Sequence, residues 1–304
     1  MDGLDTFEIS MLVIEIIIFI PTIFGNVLIL ESIRRFQWLQ TPLNAIVGSL
    51  AVSDLLFVLV LTPGHLVGVF MGANRIRGFC LAYVGVIVTL MLVTLLNMLA
   101  ISIERYYSVG YPWKHRAMKR QKHVKIFTPL SWATSFLFSF IPFMGWDEFE
   151  TDNKCQLYDV WPMELNMILN GLIVVIICTK VVMFTLVVRI ALKRLPQTDH
   201  GKEEIRARRE ISRMYILIAV SAVFIFCWAP FCFITFFKVV IKSESMKIAQ
   251  SIALVLGFLN SALNWLIYGL KNQKFRHAFR LLLCKKVRQS AVSLDRLSSR
   301  EISS

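Results

Sequence analysis

The chemistry in this chain sits where charge is costly. Asp54 lies midway along an apolar run, in Leu50-Ala51-Val52-Ser53-Asp54, and Asn26, Thr94, Asn260 and Asn264 lie near mid-depth in other apolar runs. Ionisable and amide groups at membrane depth turn toward an interior, so each is a functional candidate. Two chemistries fit Asp54: a neutral, hydrogen-bonded carboxylic acid, or an ionised carboxylate that shares a small cation with the surrounding oxygens. Sodium is the expected ion. A second constellation is Glu104-Arg105-Tyr106 with Glu210. A charge triplet at a helix end is ordinarily a solvated cap. Two carboxylates competing for one guanidinium instead form a switch, because each choice of partner sets a different helix spacing. No His or Cys cluster with metal spacing, phosphate loop or nucleophile elbow occurs, so an enzyme is not expected.

These groups need elements that hold them at depth. Hydrophobic residues make up 56% of the 304 positions and mean hydropathy is +0.63, too apolar for a soluble domain. Runs long enough to cross a bilayer extend from Ile9 to Ile33, Leu43 to Met71, Leu81 to Tyr107, Val124 to Gly145, Met163 to Ile190, Met214 to Val240, and Ile248 to Leu270. The expected fold is therefore an all-α membrane protein, a seven-transmembrane helix bundle. The net charge of +13 would suggest nucleic acid in a soluble chain, but Lys and Arg fall in alternate gaps, such as Arg34, Arg35, Arg116, Arg120, Arg208 and Arg209. That asymmetry puts the N-terminus outside and argues against nucleic-acid binding. The acidic start, Asp2, Asp5 and Glu8, lacks the basic region of a signal peptide, so the first run is expected to be retained. Residues 1–8 form an outer segment, 9–270 the bundle, 271–284 an amphipathic helix at the inner surface and 285–304 a cytoplasmic tail.

Only Cys80 and Cys155 face outside, and an oxidising compartment predicts a disulfide between them. In the sixth run, Pro230 predicts a kink beside Trp228 and Phe224. After Tyr268 an amphipathic stretch sets Phe275, Phe279, Leu282 and Leu283 against Lys274, Arg276 and Arg280. Cys284 at its end is either a palmitoylation site or a buried thiol. Lys180, inside the fifth run, is expected to snorkel along the lipid face rather than point inward. His65 is either a pocket residue or a satisfied packing histidine. A transporter or channel is the rival function for intramembrane Asp54 and Lys180, but the internal repeats and broken helices it requires are not evident.

Taken in order, Gly25-Asn26, Leu50 to Asp54, Cys80, Glu104 to Tyr106, Trp132, Phe224 to Pro230 and Asn264 to Tyr268 resemble the rhodopsin-like G-protein-coupled receptors. The resemblance runs from about Ile9 to Cys284. It implies a small extracellular ligand, an outward swing of the sixth helix and activation of a heterotrimeric G protein. It also implies a sodium pocket at Asp54, Thr94, Asn260 and Asn264, an activation toggle at Trp228, an ionic latch of Arg105 with Glu104 and Glu210, and inward movement of Tyr268. No cofactor is expected beyond sodium as an allosteric ligand. Two positions depart from the family pattern: Trp265 replaces a Pro, predicting a straighter seventh helix, and the fifth run has no Pro, with Thr179 near the usual place.

Within that family the chain is most similar to adenosine receptors. Glu15 lies eleven residues before Asn26, Phe143 to Trp146 resemble the close of their fourth helix, and Cys155 to Met163 their outer loop. The purine contacts that this likeness implies are replaced by Leu157, Tyr158 and Thr235, and the His that would pair with Glu15 by Phe258. Each polar group left without a partner costs a purine about 1–3 kcal/mol. Ile87 stands where amine receptors carry Asp, and Phe258 where opsins carry the retinal Lys. Ile87, Val88, Met91, Phe231, Cys232, Thr235, Leu254 and Phe258 thus outline either an apolar pocket for a hydrophobic or amphipathic ligand or plain bundle packing. The expected location is the plasma membrane. Membrane lipids are expected partners of the basic stretch from Lys193 to Ser212, and arrestin of a phosphorylated tail that reads otherwise as ordinary disorder.

Overall fold

A computed structural model of the chain describes residues 6–111, 120–149, 155, 160–193, 222–235, 237 and 244–284. Eight α-helices are found among these residues: α1 (Thr6–Arg35), α2 (Pro42–Met71), α3 (Arg77–Gly110), α4 (Arg120–Ser139), α5 (Met163–Lys193), α6 (Ala222–Thr235), α7 (Glu244–Lys271) and α8 (Gln273–Leu283). By length and composition α1, α2, α3, α5 and α7 can each cross a membrane. The first helix is described from Thr6, and α8 lies within the 271–284 segment. Leu157, Tyr158, Glu210, most of the third inner loop and the tail after Cys284 lie outside the described residues.

Local chemistry sets the ends. Thr41 caps α2 by accepting from the Asn44 amide, Pro42 occupies its first turn, and Gly72 closes it in the left-handed region at φ 66°. The fourth helix stops at Ser139 instead of reaching Gly145. Pro142 disfavours helical backbone at the residue before it, and the chain passes through a 3-10 turn, Ile141–Met144, to Gly145 at φ 95°. Asn272 interrupts α7 and α8, and its side chain caps α8 by accepting from the Lys274 amide.

The bundle is built around α3, which packs against α2, α4 and α5; α1 lies on α2 and α7, and α8 on α7 and α1. Polarity is turned inside out relative to a soluble fold. Asn26, Asp54, Asn97, Asn260 and Asn264 are buried, while Ile17, Ile20, Val175 and Phe226 are exposed, as a bilayer solvent requires. Trp265 reaches α1 because Gly25 has no side chain: a Cβ at Gly25 would overlap the indole, and Phe24 meets the same ring edge-on with centroids 5.7 Å apart. The seventh helix runs from Glu244 to Lys271.

Candidate functional site

Asp54 is fully buried. Its Oδ1 accepts from the Ser261 hydroxyl at 2.7 Å and its Oδ2 from the Asn264 amide nitrogen at 3.0 Å, joining α2 to α7. Ser53 and Thr94 share a hydrogen bond of 3.1 Å between their hydroxyls, which brings α3 to the same level. Asn26 turns its amide nitrogen to backbone oxygens, Thr22 O at 3.0 Å and Ser261 O at 3.4 Å. Asp54, Asn26, Thr94, Asn260 and Asn264 are each buried, and Ser261 is a further buried residue, bonded to Asp54, that sequence reasoning missed. The Oδ1 atoms of Asn26, Asn260 and Asn264 are buried without a hydrogen-bond partner among the described residues. Orphaned oxygens around a carboxylate have the donor chemistry of a hard, small cation.

One layer outward, Trp228 is buried between Phe224 and Phe231, with centroids 6.5 and 6.0 Å away. A Cβ at Gly257 would sit 3.4 Å from its ring, so α7 closes against the indole face. Lys180 overturns the expectation of snorkelling. It is 1% exposed, and its Nζ lies 3.6 Å from the centroid of the Phe224 ring. The α5 face bearing Ile173, Ile176 and Lys180 turns toward the core, a spacing of three and four that the sequence pattern contained. The ring quadrupole attracts the ammonium there.

Toward the basic end, Arg105 and Glu104 are half-buried on α3, and Tyr106 packs edge-on to Tyr107 and Tyr111, 5.7 and 5.9 Å away. Tyr268 is buried on Phe275 at 5.6 Å, which couples α7 to α8. Pro230 lies inside α6, where it removes one backbone donor. Cys284 is exposed, against a buried thiol.

At the opposite end the expected pocket residues are arranged in two groups. Phe258 packs on Phe57, with centroids 4.6 Å apart, together with Ile87 and Leu254. Val88, Met91, Phe231 and Cys232 belong to the main core beside Trp228. Thr235 accepts from Gln250 at 3.3 Å, a buried glutamine to which the sequence pattern assigns no role. Glu15 finds a different histidine: both of its oxygens lie 3.1 Å from Nδ1 of His65, so the acid is paired from α2. Nearby Tyr83 donates to Leu61 O at 3.1 Å. Helix five presents Asn166 and Asn170, whose amide nitrogens donate to Trp161 O and Asn166 O, both at 2.8 Å.

Two ties hold this end together. The Cys80–Cys155 disulfide forms as expected, linking positions 75 residues apart. Arg77 pairs with Asp147, and the guanidinium holds that carboxyl below the usual carboxylate range. Deeper in the frame, Ser49 Oγ accepts from both the Asn97 amide and the Trp132 indole N–H, each at 3.1 Å.

Comparison with known proteins agrees with this geometry. The model of the 7 transmembrane receptor (rhodopsin family) matches residues 25–268. The histamine H2 receptor of Cavia porcellus is 27% identical, with 91% of this chain and 80% of that receptor covered. The adenosine receptor A2b of Homo sapiens is 24% identical, with 93% of each covered. With the family motifs buried in one helical bundle and the match spanning most of its length, the chain belongs to the rhodopsin-like family of seven-transmembrane G-protein-coupled receptors.

Proposed function

We propose that this receptor stands in the plasma membrane with its N-terminus outside, binds a small hydrophobic or amphipathic ligand at the end bearing the Cys80–Cys155 disulfide, and is tuned by a sodium ion at Asp54. One observation carries the reading. Phe231, Trp228 and Phe224 form a buried ring stack on α6, and the Ser261 and Asn264 contacts to Asp54 lie two turns and one turn before buried Tyr268 on α7. Ligand-dependent displacement of Trp228 would shift α6 against α7, and a sodium ion held by Asp54 would favour the closed arrangement. Arg105 would then be released to a G protein.

The replaced purine contacts fit a changed ligand. Thr235 already serves Gln250, and Phe258 fills its place with a ring packed on Phe57. Ile87 offers no carboxylate, so likeness to a histamine receptor brings no amine anchor with it. Arrestin recruitment by Ser290, Ser293, Ser298, Ser299, Ser303 and Ser304 belongs to the same proposal, with loss of agonist-driven internalisation on replacing all six as its measure.

The test is a panel of purines and small lipids read by cAMP and calcium in cells, with Arg105→Gln and Asp54→Asn alongside wild type. Arg105→Gln should abolish coupling at unchanged surface expression, and Asp54→Asn should remove any dependence of coupling on sodium. Full coupling by Arg105→Gln would refute the switch, and sodium dependence that survives Asp54→Asn would refute the ion site.

A further inference from the structure

Lys180 puts an ammonium into the apolar core of the bundle. Its side chain is buried, and α5 continues for about 20 Å beyond it to Lys193, farther than a four-carbon stem can span to reach water at the helix end. Opposite charge is remote as well. The fifth helix has a single carboxylate, Glu164 in its first turn, and α6 has none from Ala222 to Thr235. Among the described residues the ammonium makes no ion pair and no hydrogen bond, and its partner is the face of the Phe224 ring. A ring face returns only part of what an ammonium loses on leaving water.

The ring stands on a different helix from the charge. Phe224 is fully buried and precedes Pro230 on α6, as does Cys227. Pro230 removes a backbone donor, so the segment before it can turn as a unit against the rest of the helix. Phe224 rides on that segment, whereas Lys180 is fixed to α5. The ring therefore covers the ammonium in one arrangement of α6 and leaves it in another, and a contact made in one state alone biases the equilibrium between them. The sign follows from the two magnitudes: desolvation exceeds the return from the ring, so the charge favours the arrangement that admits water.

We propose that Lys180 is a built-in opener of α6, a buried charge that destabilises the closed helix and makes the receptor open without ligand more often than an apolar residue at that place would allow. This rests on the shift of α6 proposed above, and it gives the receptor ligand-free activity towards its G protein. Lys180 touches neither the ligand pocket nor Arg105; it acts through Phe224, by setting how often the ring withdraws.

Cys227, buried on the moving segment, reports opening without any G protein. The experiment uses the full chain in nanodiscs with Cys178, Cys232 and Cys284 replaced by Ala, which leaves Cys227 as the one free thiol, and follows its modification by a charged aqueous thiosulfonate. Lys180→Met should slow labelling about fivefold or more, the low end of what replacing buried charge by an apolar side chain returns. Lys180→Leu should do the same, and Lys180→Arg, which keeps the charge, should label fast. Arg189→Met, which removes an exposed cation from the same helix, should change the rate by less than about twofold. Phe224→Leu should speed labelling about threefold more with Lys180 present than with Met in its place, the share owed to the ring. Faster labelling of Lys180→Met would reverse the sign and overturn the opener in favour of a latch. Equal rates for Lys180→Met and wild type, or equal effects of Phe224→Leu in both backgrounds, would overturn it outright. Ligand-free nucleotide exchange on a panel of heterotrimeric G proteins should fall in step with the labelling rate. Slow labelling of Lys180→Met with no exchange from any variant would support the opener and refute the receptor switch, so the two failures are told apart.

Discussion

Gly25 and Trp265 are mutually dependent. A Cβ on Gly25 would overlap Cγ, Cδ1 and Cδ2 of the indole. Those atoms are the root of the ring, so rotation about its last torsion cannot clear them, and Phe24 packs against another part of the ring. Gly25→Ala gains about 1 kcal/mol of helix propensity. Overpacking costs about 1–3 kcal/mol and occasionally more. With the clash at the ring root rather than at a flexible tip, the cost lies at or above the top of that range, and the net loss is about 2 kcal/mol. The assay is thermal melting of the purified receptor in detergent for wild type, Gly25→Ala, Trp265→Leu and the double variant. Gly25→Ala should melt several degrees lower. In the Trp265→Leu background the same change should be neutral or stabilising, leaving a coupling of about 2–3 kcal/mol. A Gly25→Ala receptor that melts at or above wild type in both backgrounds refutes the steric argument.

Three further outcomes follow from the geometry. Lys180→Met should raise the melting temperature, because burying an ammonium costs several kcal/mol while the Phe224 ring returns about 2; a lower melting temperature contradicts this. Ser49→Ala should cost about 2–4 kcal/mol by stranding the Asn97 amide and the Trp132 indole N–H, whereas Ser49→Thr keeps the oxygen, and equal melting of Ala and wild type sinks the shared-acceptor role. The Arg77–Asp147 pair has a depressed carboxyl pKa, so its contribution is complete above about pH 4 and fades only as pH falls through the lowered value. The effect of Arg77→Gln on melting should therefore be the same at pH 7 and pH 5, and its disappearance at pH 5 would be inconsistent with the pairing.

The spans were legible because the bilayer demands continuous apolar length. The buried oxygens around Asp54 were legible because a polar side chain at membrane depth must turn inward to find a partner. Where several arrangements were compatible with one pattern, the structure had to choose. Lys180 and its neighbour Thr179 sit in an otherwise apolar stretch, so hydropathy alone does not say which face of α5 the lysine occupies. Ser261 and Ser49 were missed because a serine on a helix ordinarily bonds its own backbone and carries no signal of a partner on another helix. The pairing of Glu15 with His65 was hidden for another reason: the family pattern pointed to α7, where Phe258 stands, while the acid is answered from α2. The early end of α4 was written in Pro142, but the apolar residues continue past it and masked the stop. Leu157, Tyr158 and Glu210 lie outside the described residues.

The Ser49 junction divides the labour of the bundle. A single oxygen on α2 accepts one proton donor from α3 and another from α4, so sliding any of these three helices along the others would uncouple two donors in a medium that offers no replacement. Those helices thus form a stationary chassis. In the signalling proposed above, motion would fall to the elements clamped by softer means, α6 on a ring and a glycine and α7 on the Asp54 carboxylate. The receptor would work less like a bundle that breathes as a whole than like a fixed frame with a door.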